Sequence, residues 1–233
     1  PYTTLFRSGR NALSVEVTDL DLAEVARLAS VFGVPSISGR LTTRLDLSGT
    51  ARRPDVQLTA SVAGGSFEDW GPADAELRAG YANETFNIAN FRMGVGEQTL
   101  AVLTARLPVD VTLDGQMELL WRRDASIDLT VPKVELAKTI KAVGLSSVDA
   151  LDGLAEGRLQ MAGPMVRPEF SGRVDLSALT FRGTLAGASL DVEDVSLASS
   201  VGWSGAGAER DFNFDARVTW RDETIFRAGL ETS

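Results

Sequence analysis

Apolar and polar residues alternate along almost the whole chain. Leu13, Val15 and Val17 alternate with Ser14 and Glu16, and Leu41, Leu45 and Leu47 with Arg40, Arg44 and Asp46. Ala75, Leu77, Ala79 and Tyr81 interleave with Asp74, Glu76 and Arg78, and Phe86 and Ile88 flank Asn87. Ile127, Leu129 and Val131 alternate with Ser126, Asp128 and Thr130, and Leu190 and Val192 with Asp191 and Glu193. The cleanest case is late, where Phe212, Phe214, Ala216, Val218 and Trp220 alternate with Asp211, Asn213, Asp215, Arg217 and Thr219. A period of two sends successive side chains to opposite faces, so each stretch predicts a strand with one dry and one wet face. Turn chemistry separates the stretches at Gly64-Gly65, Gly71-Pro72, Asn83-Glu84, Asp114-Gly115, Arg122-Arg123-Asp124 and Ser204 to Gly207. Two stretches break the period. Leu22, Val25, Leu28 and Ala29 share a helix face ahead of Gly33, and residues 134–140 form a second short helical pattern ahead of Gly144. Roughly a dozen or more strands with two short helices predict an all-β fold, and strands that do not alternate with helices exclude a doubly wound one.

One phrase is written twice. Residues 47–67 read LSGTARRPDVQLTASVAGGSF and residues 161–181 read MAGPMVRPEFSGRVDLSALTF. Aligned without a gap, Gly49 meets Gly163, Arg53 meets Arg167, Pro54 meets Pro168 and Phe67 meets Phe181. Each turn leads into an alternating strand: Val56, Leu58, Ala60 and Val62 in one copy, Phe170, Gly172, Val174 and Leu176 in the other. Gly39-Arg40-Leu41 precedes the first copy and Gly157-Arg158-Leu159 the second, ten and six residues before the turn glycine. The even difference predicts a shortened strand whose faces are not flipped. Residues 9–233 then read as one continuous repetitive sheet, with loose units at about 19–133 and 134–233.

The helix, the G-x-L step, the alternating strands and the Gly-to-Arg-Pro turn together resemble the AsmA-like family, TamB-type proteins in particular. The matching text is GRLTTRLDLSGTARRPDVQLTASVAGGSF at 39–67 and GRLQMAGPMVRPEFSGRVDLSALTF at 157–181. The resemblance implies an elongated, mostly antiparallel curved sheet forming an open apolar groove, like a folded taco shell. It implies a parent protein anchored in the inner membrane and crossing a bacterial periplasm. Its expected ligands are phospholipid acyl chains, moved toward the outer membrane. An outer-membrane barrel protein is a further expected partner, in the assembly or secretion of outer-membrane proteins. No cofactor and no metal are implied. The side chains expected to line the groove are Leu41, Leu45, Leu47, Val56, Leu58, Val62 and Leu77 in the first half. In the second half they are Ile127, Leu129, Phe170, Val174, Leu176, Leu190, Val192, Phe212, Phe214, Val218 and Trp220. Periodicity alone favours a closed protein core for the same rows. Two other readings stay open: a structural β-solenoid or adhesin-type stalk, and a carbohydrate-active enzyme on a β scaffold.

Composition narrows the chemistry. The 233 residues carry a net charge of −9, which argues against a nucleic-acid partner and against adsorption to an anionic membrane surface. There is no His and no Cys. The usual neutral-pH general base, the Ser–His triad and thiolate metal sites are therefore all missing. Glu68 and Asp69 beside Trp70 are the carboxylates the enzyme reading would use, although the placement suits a solvated turn. Gly94-Val95-Gly96 lacks the third glycine of a dinucleotide loop, and Asn83-Glu84-Thr85 is a formal glycosylation triplet in turn context. Arg52-Arg53 and Trp121-Arg122-Arg123 fit hairpin tips or contacts to phosphate headgroups. No apolar run is long enough for a transmembrane helix. Residues 1–8, PYTTLFRS, translate a codon string resembling the end of a common sequencing adapter. We expect them to be foreign, and the chain to be an interior window of a longer protein that breaks off after the strand-like stretch Ile225 to Leu230.

Overall fold

The alternating stretches become strands that each pair with the next. In this computed structural model the described residues are 11–29, 37–67, 70–113, 116–143, 148–185, 188–206, 209–221 and 223–232. The expected foreign stretch 1–8 and the Glu68-Asp69 pair lie outside them. The first half comprises β1 (Asn11–Asp21), α1 (Leu22–Ala29), β2 (Ile37–Thr50), β3 (Arg53–Phe67), β4 (Trp70–Ala82), β5 (Thr85–Val95), β6 (Gln98–Val111) and the short β7 (Met117–Leu119). The second half comprises β8 (Asp124–Glu135), α2 (Leu136–Val143), β9 (Val148–Pro164), β10 (Glu169–Leu185), β11 (Ala188–Ala206), β12 (Glu209–Trp220) and β13 (Glu223–Thr232). All thirteen strands form one antiparallel sheet, curved and not closed on itself. Twelve follow one another in chain order, and β7 hangs off β6. At about 4.8 Å per strand, β1 and β13 stand roughly 50 Å apart along the sheet.

The register carries one apolar face through every strand. A single row of opposed residues reads Val17, Thr43, Ala60, Leu77, Phe91, Leu103, Leu129, Leu159, Gly172, Val201, Phe214 and Leu230. At four places consecutive apolar residues are three apart rather than two: Val17 to Leu20, Ile88 to Phe91, Val131 to Val134 and Leu176 to Leu179. The register shifts at each of them. A bulge takes up the extra residue there and returns the next apolar side chain to the same face.

The repeat runs further than the duplicated phrase. Helix, bulges and turn glycines of residues 11–67 recur 114 positions on (39 to 153, 49 to 163). The Val17/Leu20 bulge returns as Val131/Val134, and the Val62/Gly65 bulge as Leu176/Leu179. Helix α1 returns as α2, each of eight residues. Gly39 and Gly153 have φ of 121° and 124°, and Gly49 and Gly163 have φ of 90° and 95°. The counterpart of Gly39 is therefore Gly153 and not Gly157, and the spacing to the turn glycine is ten residues in both copies. The backbone at the bulge demands a residue free to adopt positive φ, which Gly39 and Gly153 supply. Gly157 instead sits in extended strand opposite Val131 and Val174. The recurrence begins at β1 and β8, ahead of the unit limits expected from the helices. Val134 and Glu135, expected in the second helix, end β8. In α1 the residue packed inward is Ala26, and Val25 is exposed.

Strand ends define two margins. Both helices follow strands that run the same way, so both lie on one margin; the turns at Gly49–Pro54 and Gly163–Pro168 lie on the other. The first half is covered at both margins. Helix α2 packs on β9 and also reaches β4 and β5. On the turn margin, the Val111 amide donates to Tyr81 Oη at 2.8 Å and the Leu113 amide to the Ala51 carbonyl at 2.9 Å. Among the described residues, the buried apolar side chains Ala79, Tyr81, Val95, Ala105, Val109, Ala125 and Val134 lie in β4–β8, with Ala26 in α1 and Ala216 in β12.

Candidate functional site

The groove residues of the first half are half-buried. Leu47, Val56 and Tyr81 oppose one another in sequence across β2–β4, and Leu45, Leu58 and Ala79 do the same one pair along. Leu41 opposes Val62, and Leu77 opposes Ala60 and Phe91. Helix α2 reaches β4 and β5 at one margin, and the segment after β6 bonds to Ala51 at the other.

The second half differs. Ile127, Leu129, Phe170, Leu176, Phe212 and Val218 are half-buried, whereas Val174, Phe214 and Trp220 are exposed. Phe212, Phe214, Val218 and Trp220 share one face of β12, opposite Trp203, Val201, Leu197 and Val195 of β11. Leu190 and Val192 occupy β11 positions opposite Gly183 and Phe181, and their side chains lie outside the described residues. Among the described residues, no large apolar side chain in the protein is fully buried. A closed core of this size would contain several.

Small residues carve the exposed stretch into a trough. Gly157, Gly172 and Ser199 lie on the apolar face, flanked by Leu129, Leu159, Val174, Val201 and Phe214. The trough encloses about 290 Å³ and its lining is almost wholly apolar. Leu159, Val201, Phe226 and Leu230 belong to this surface, and the alternation did not single them out. Val201 follows Ser199-Ser200, and Phe226 is preceded by Ile225 on the opposite face, which blurs the period. Leu159 is legible in the text as the partner of Arg158.

The opposite face is polar and clipped by ion pairs between strands or along them. Arg158 of β9 grips Asp128 of β8, and Gln160 donates to the same carboxylate at 2.9 Å. The hydrogen bond from Arg158 holds the Asp128 carboxyl below its ordinary range, with Gln160 and Thr130 adding to it against partial desolvation. Arg44 likewise lowers Asp46, 2.8 Å away, with help from Ser14. Asp175 raises Arg173 through a hydrogen bond of the same kind. Arg122 and Arg123 line a basin on this polar face with Arg78 and Arg106, and Arg123 is paired with Glu84 at 2.6 Å. The turn pairs Arg52-Arg53 and Arg167-Pro168 sit at the turn margin, where the Arg53 amide donates to Thr50 Oγ1 at 3.1 Å and the Arg167 amide to the Pro164 carbonyl at 2.7 Å. Pro54, opposite Gly49, is buried. Among the described residues no three carboxylates gather in a way that would hold a metal ion, and no helix is long and apolar enough to cross a membrane.

No protein-family model matches the chain, and neither a curated protein nor a solved structure does.

Proposed function

We propose that the chain is a lipid-carrying segment of an AsmA-like envelope protein, and that phospholipid acyl chains lie along the apolar face of β8–β13. The role is passive and non-enzymatic. One observation carries the reading: the unbroken row Leu129, Leu159, Gly172, Val201, Phe214 and Leu230. In that row Leu159 is 46% exposed, Phe214 37% and Leu230 54%. An apolar patch of this extent is unfavourable in water and marks a surface that something else covers. Each methylene laid on it contributes about 0.8 kcal/mol, so an acyl chain out of the bilayer recovers there much of what it loses. The row has no charged interruption and no deep end, so the chain has nothing to stop it sliding. Headgroups stay in water at the margins. The resemblance supplies the setting: a bacterial periplasm, a parent anchored in the inner membrane, and delivery of phospholipid or support of protein assembly at the outer membrane with a barrel partner.

The test uses position 214. A photo-crosslinking residue there should capture phospholipid, and one at Asn213, on the polar face, should not. Phe214→Glu should abolish capture by a crosslinker at Leu159 while costing about 1–2 kcal/mol, because a carboxylate at this partly exposed position can reach water. Unfolding of Phe214→Glu at a cost of several kcal/mol, with no lipid captured at 214, is the signature of a closed core and would retire the groove.

A further inference from the structure

We infer that the basin on the polar face of β3–β8 is an anion site that takes a phosphate monoester. It lies within the sheet, on the face opposite to the apolar one, and so does not depend on the groove carrying lipid. The basin encloses about 1160 Å³. Four exposed guanidiniums surround it: Arg78 from β4, Arg106 from β6, and Arg122 and Arg123 from the turn that leads into β8. Arg123 is spent on Glu84, 2.6 Å away. Arg78, Arg106 and Arg122 have no ion pair among the described residues. Asp124 is the one carboxylate of the described lining. Glu76, the residue before Arg78 on the same face, stands opposite Arg92. Two positive charges are thus left unbalanced at one place, on a chain whose net charge is −9. A recess with one sign of charge focuses its field on a counter-ion.

The sheet itself builds the recess. Gln57, Gly80, Asn87, Arg106 and Ser126 oppose one another in sequence across β3–β8 and form its floor. Gly80 leaves that floor low, since a Cβ there would stand 2.9 Å from Gln57 Oε1. The turn that carries Arg122 and Arg123 is fastened on both sides. The Leu120 amide donates to the Pro108 carbonyl at 3.0 Å, and the Val166 amide to the Trp121 carbonyl at 2.8 Å. Its backbone is therefore in place before any ligand arrives, which lowers the ordering cost of binding. The arginines come from separate elements and reach the recess from different directions. A carboxylate offers its oxygens in one plane and suits one guanidinium fork. A phosphate monoester spreads its oxygens around a tetrahedral centre, and its dianion matches the unbalanced charge. Asn87 and Ser126, on either side of Arg106, can hydrogen-bond the rest of the ligand.

The phosphate can belong to a soluble ester or to a lipid headgroup, and two probes separate these sources. One is glucose 6-phosphate, followed by calorimetry with the full chain. The other is phosphatidylcholine vesicles containing phosphatidic acid, followed by flotation and counted as the excess over phosphatidylcholine alone. Binding in either arm supports the site, and the arm that binds names the source. Arg78→Gln/Arg106→Gln should weaken that binding about tenfold or more. The melting temperature of this variant should hold, because both side chains are exposed and unpaired among the described residues. Arg173→Gln, on β10 outside the basin, should leave binding within about twofold. Three results would each overturn the proposal. The first is no binding of either probe. The second is Arg173→Gln as damaging as the basin pair, the mark of diffuse attraction. The third is a hexaglutamate peptide bound more tightly than either probe, which points to an acidic protein segment instead.

Discussion

Gly49 and Gly163 hold nearly the same left-handed backbone, yet their surroundings differ. A Cβ on Gly49 would lie 2.4 Å from the Arg53 carbonyl oxygen, and one on Gly163 would lie 3.6 Å from that of Arg167. Strain is common to both sites and collision belongs to the first alone. Gly49→Ala is expected to cost about 2–3 kcal/mol and Gly163→Ala about 1 kcal/mol, read from urea unfolding. Equal costs would mean that the two turns relax alike. Asp128 and Asp46 set the response to acid. Both carboxyls are held below their unfolded values, so their contribution is complete above the ordinary carboxylate value of about 3.9 and disappears as pH falls through the lower folded values. The melting temperature should drop in that acid window, and Asp46→Asn/Asp128→Asn should flatten the drop. An unchanged profile in the double variant would place the acid sensitivity elsewhere.

Among the elements, the segment after β6 is fastened by one side chain. Tyr81 Oη accepts from the Val111 amide and donates to the Val111 carbonyl at 3.4 Å, and Tyr81 is 7% exposed. Tyr81→Phe leaves that amide without its acceptor, at a cost of about 1–3 kcal/mol. Hydrogen exchange at Val111 and Leu113 should speed up, while β9–β12 stays protected. Exchange that rises evenly over the whole sheet would show that Tyr81 supports the fold and not the segment. Such long-range fastening was not legible in the sequence, because nothing near Tyr81 or Val111 marks them as partners 30 positions apart. The strands themselves were legible, since alternation is a local property. The extra residues at Asp19, Ala89-Asn90, Pro132-Lys133 and Ala178 interrupt the alternation, and the register shows them to be bulges. The counterpart of Gly39 is hidden for a related reason: Gly157-Arg158-Leu159 copies the letters of Gly39-Arg40-Leu41, while Gly153 copies the conformation of Gly39. Of the groove residues, those in β12 stood out by perfect alternation, whereas Val201 and Leu230 were diluted by Ser, Gly and Ala neighbours.

At the scale of the whole molecule the two halves repeat in backbone and diverge in cover. Strands β4 and β5 are approached by α2 and β6 is followed by a fastened segment, whereas the apolar face of β9–β13 is the more exposed. An apolar dye should therefore bind the full chain, and phospholipid vesicles should displace it. Phe214→Glu with Leu230→Glu should reduce dye binding strongly, while Leu45→Glu, at a half-buried position, should chiefly lower stability. Dye binding that ignores 214 and 230 would move the exposed surface to the other half.

The recurrence every 114 residues has a geometric consequence. From β1 to its counterpart β8 the sheet advances by six strands, an increment of about 29 Å. Six is an even number, and an even step returns the chain to the same margin pointing the same way. Such a molecule is a ruler whose graduations can be added or removed without disturbing the rest. A hairpin inserted into it lengthens it by about 10 Å and preserves everything downstream. A single inserted strand would send every later helix to the wrong margin.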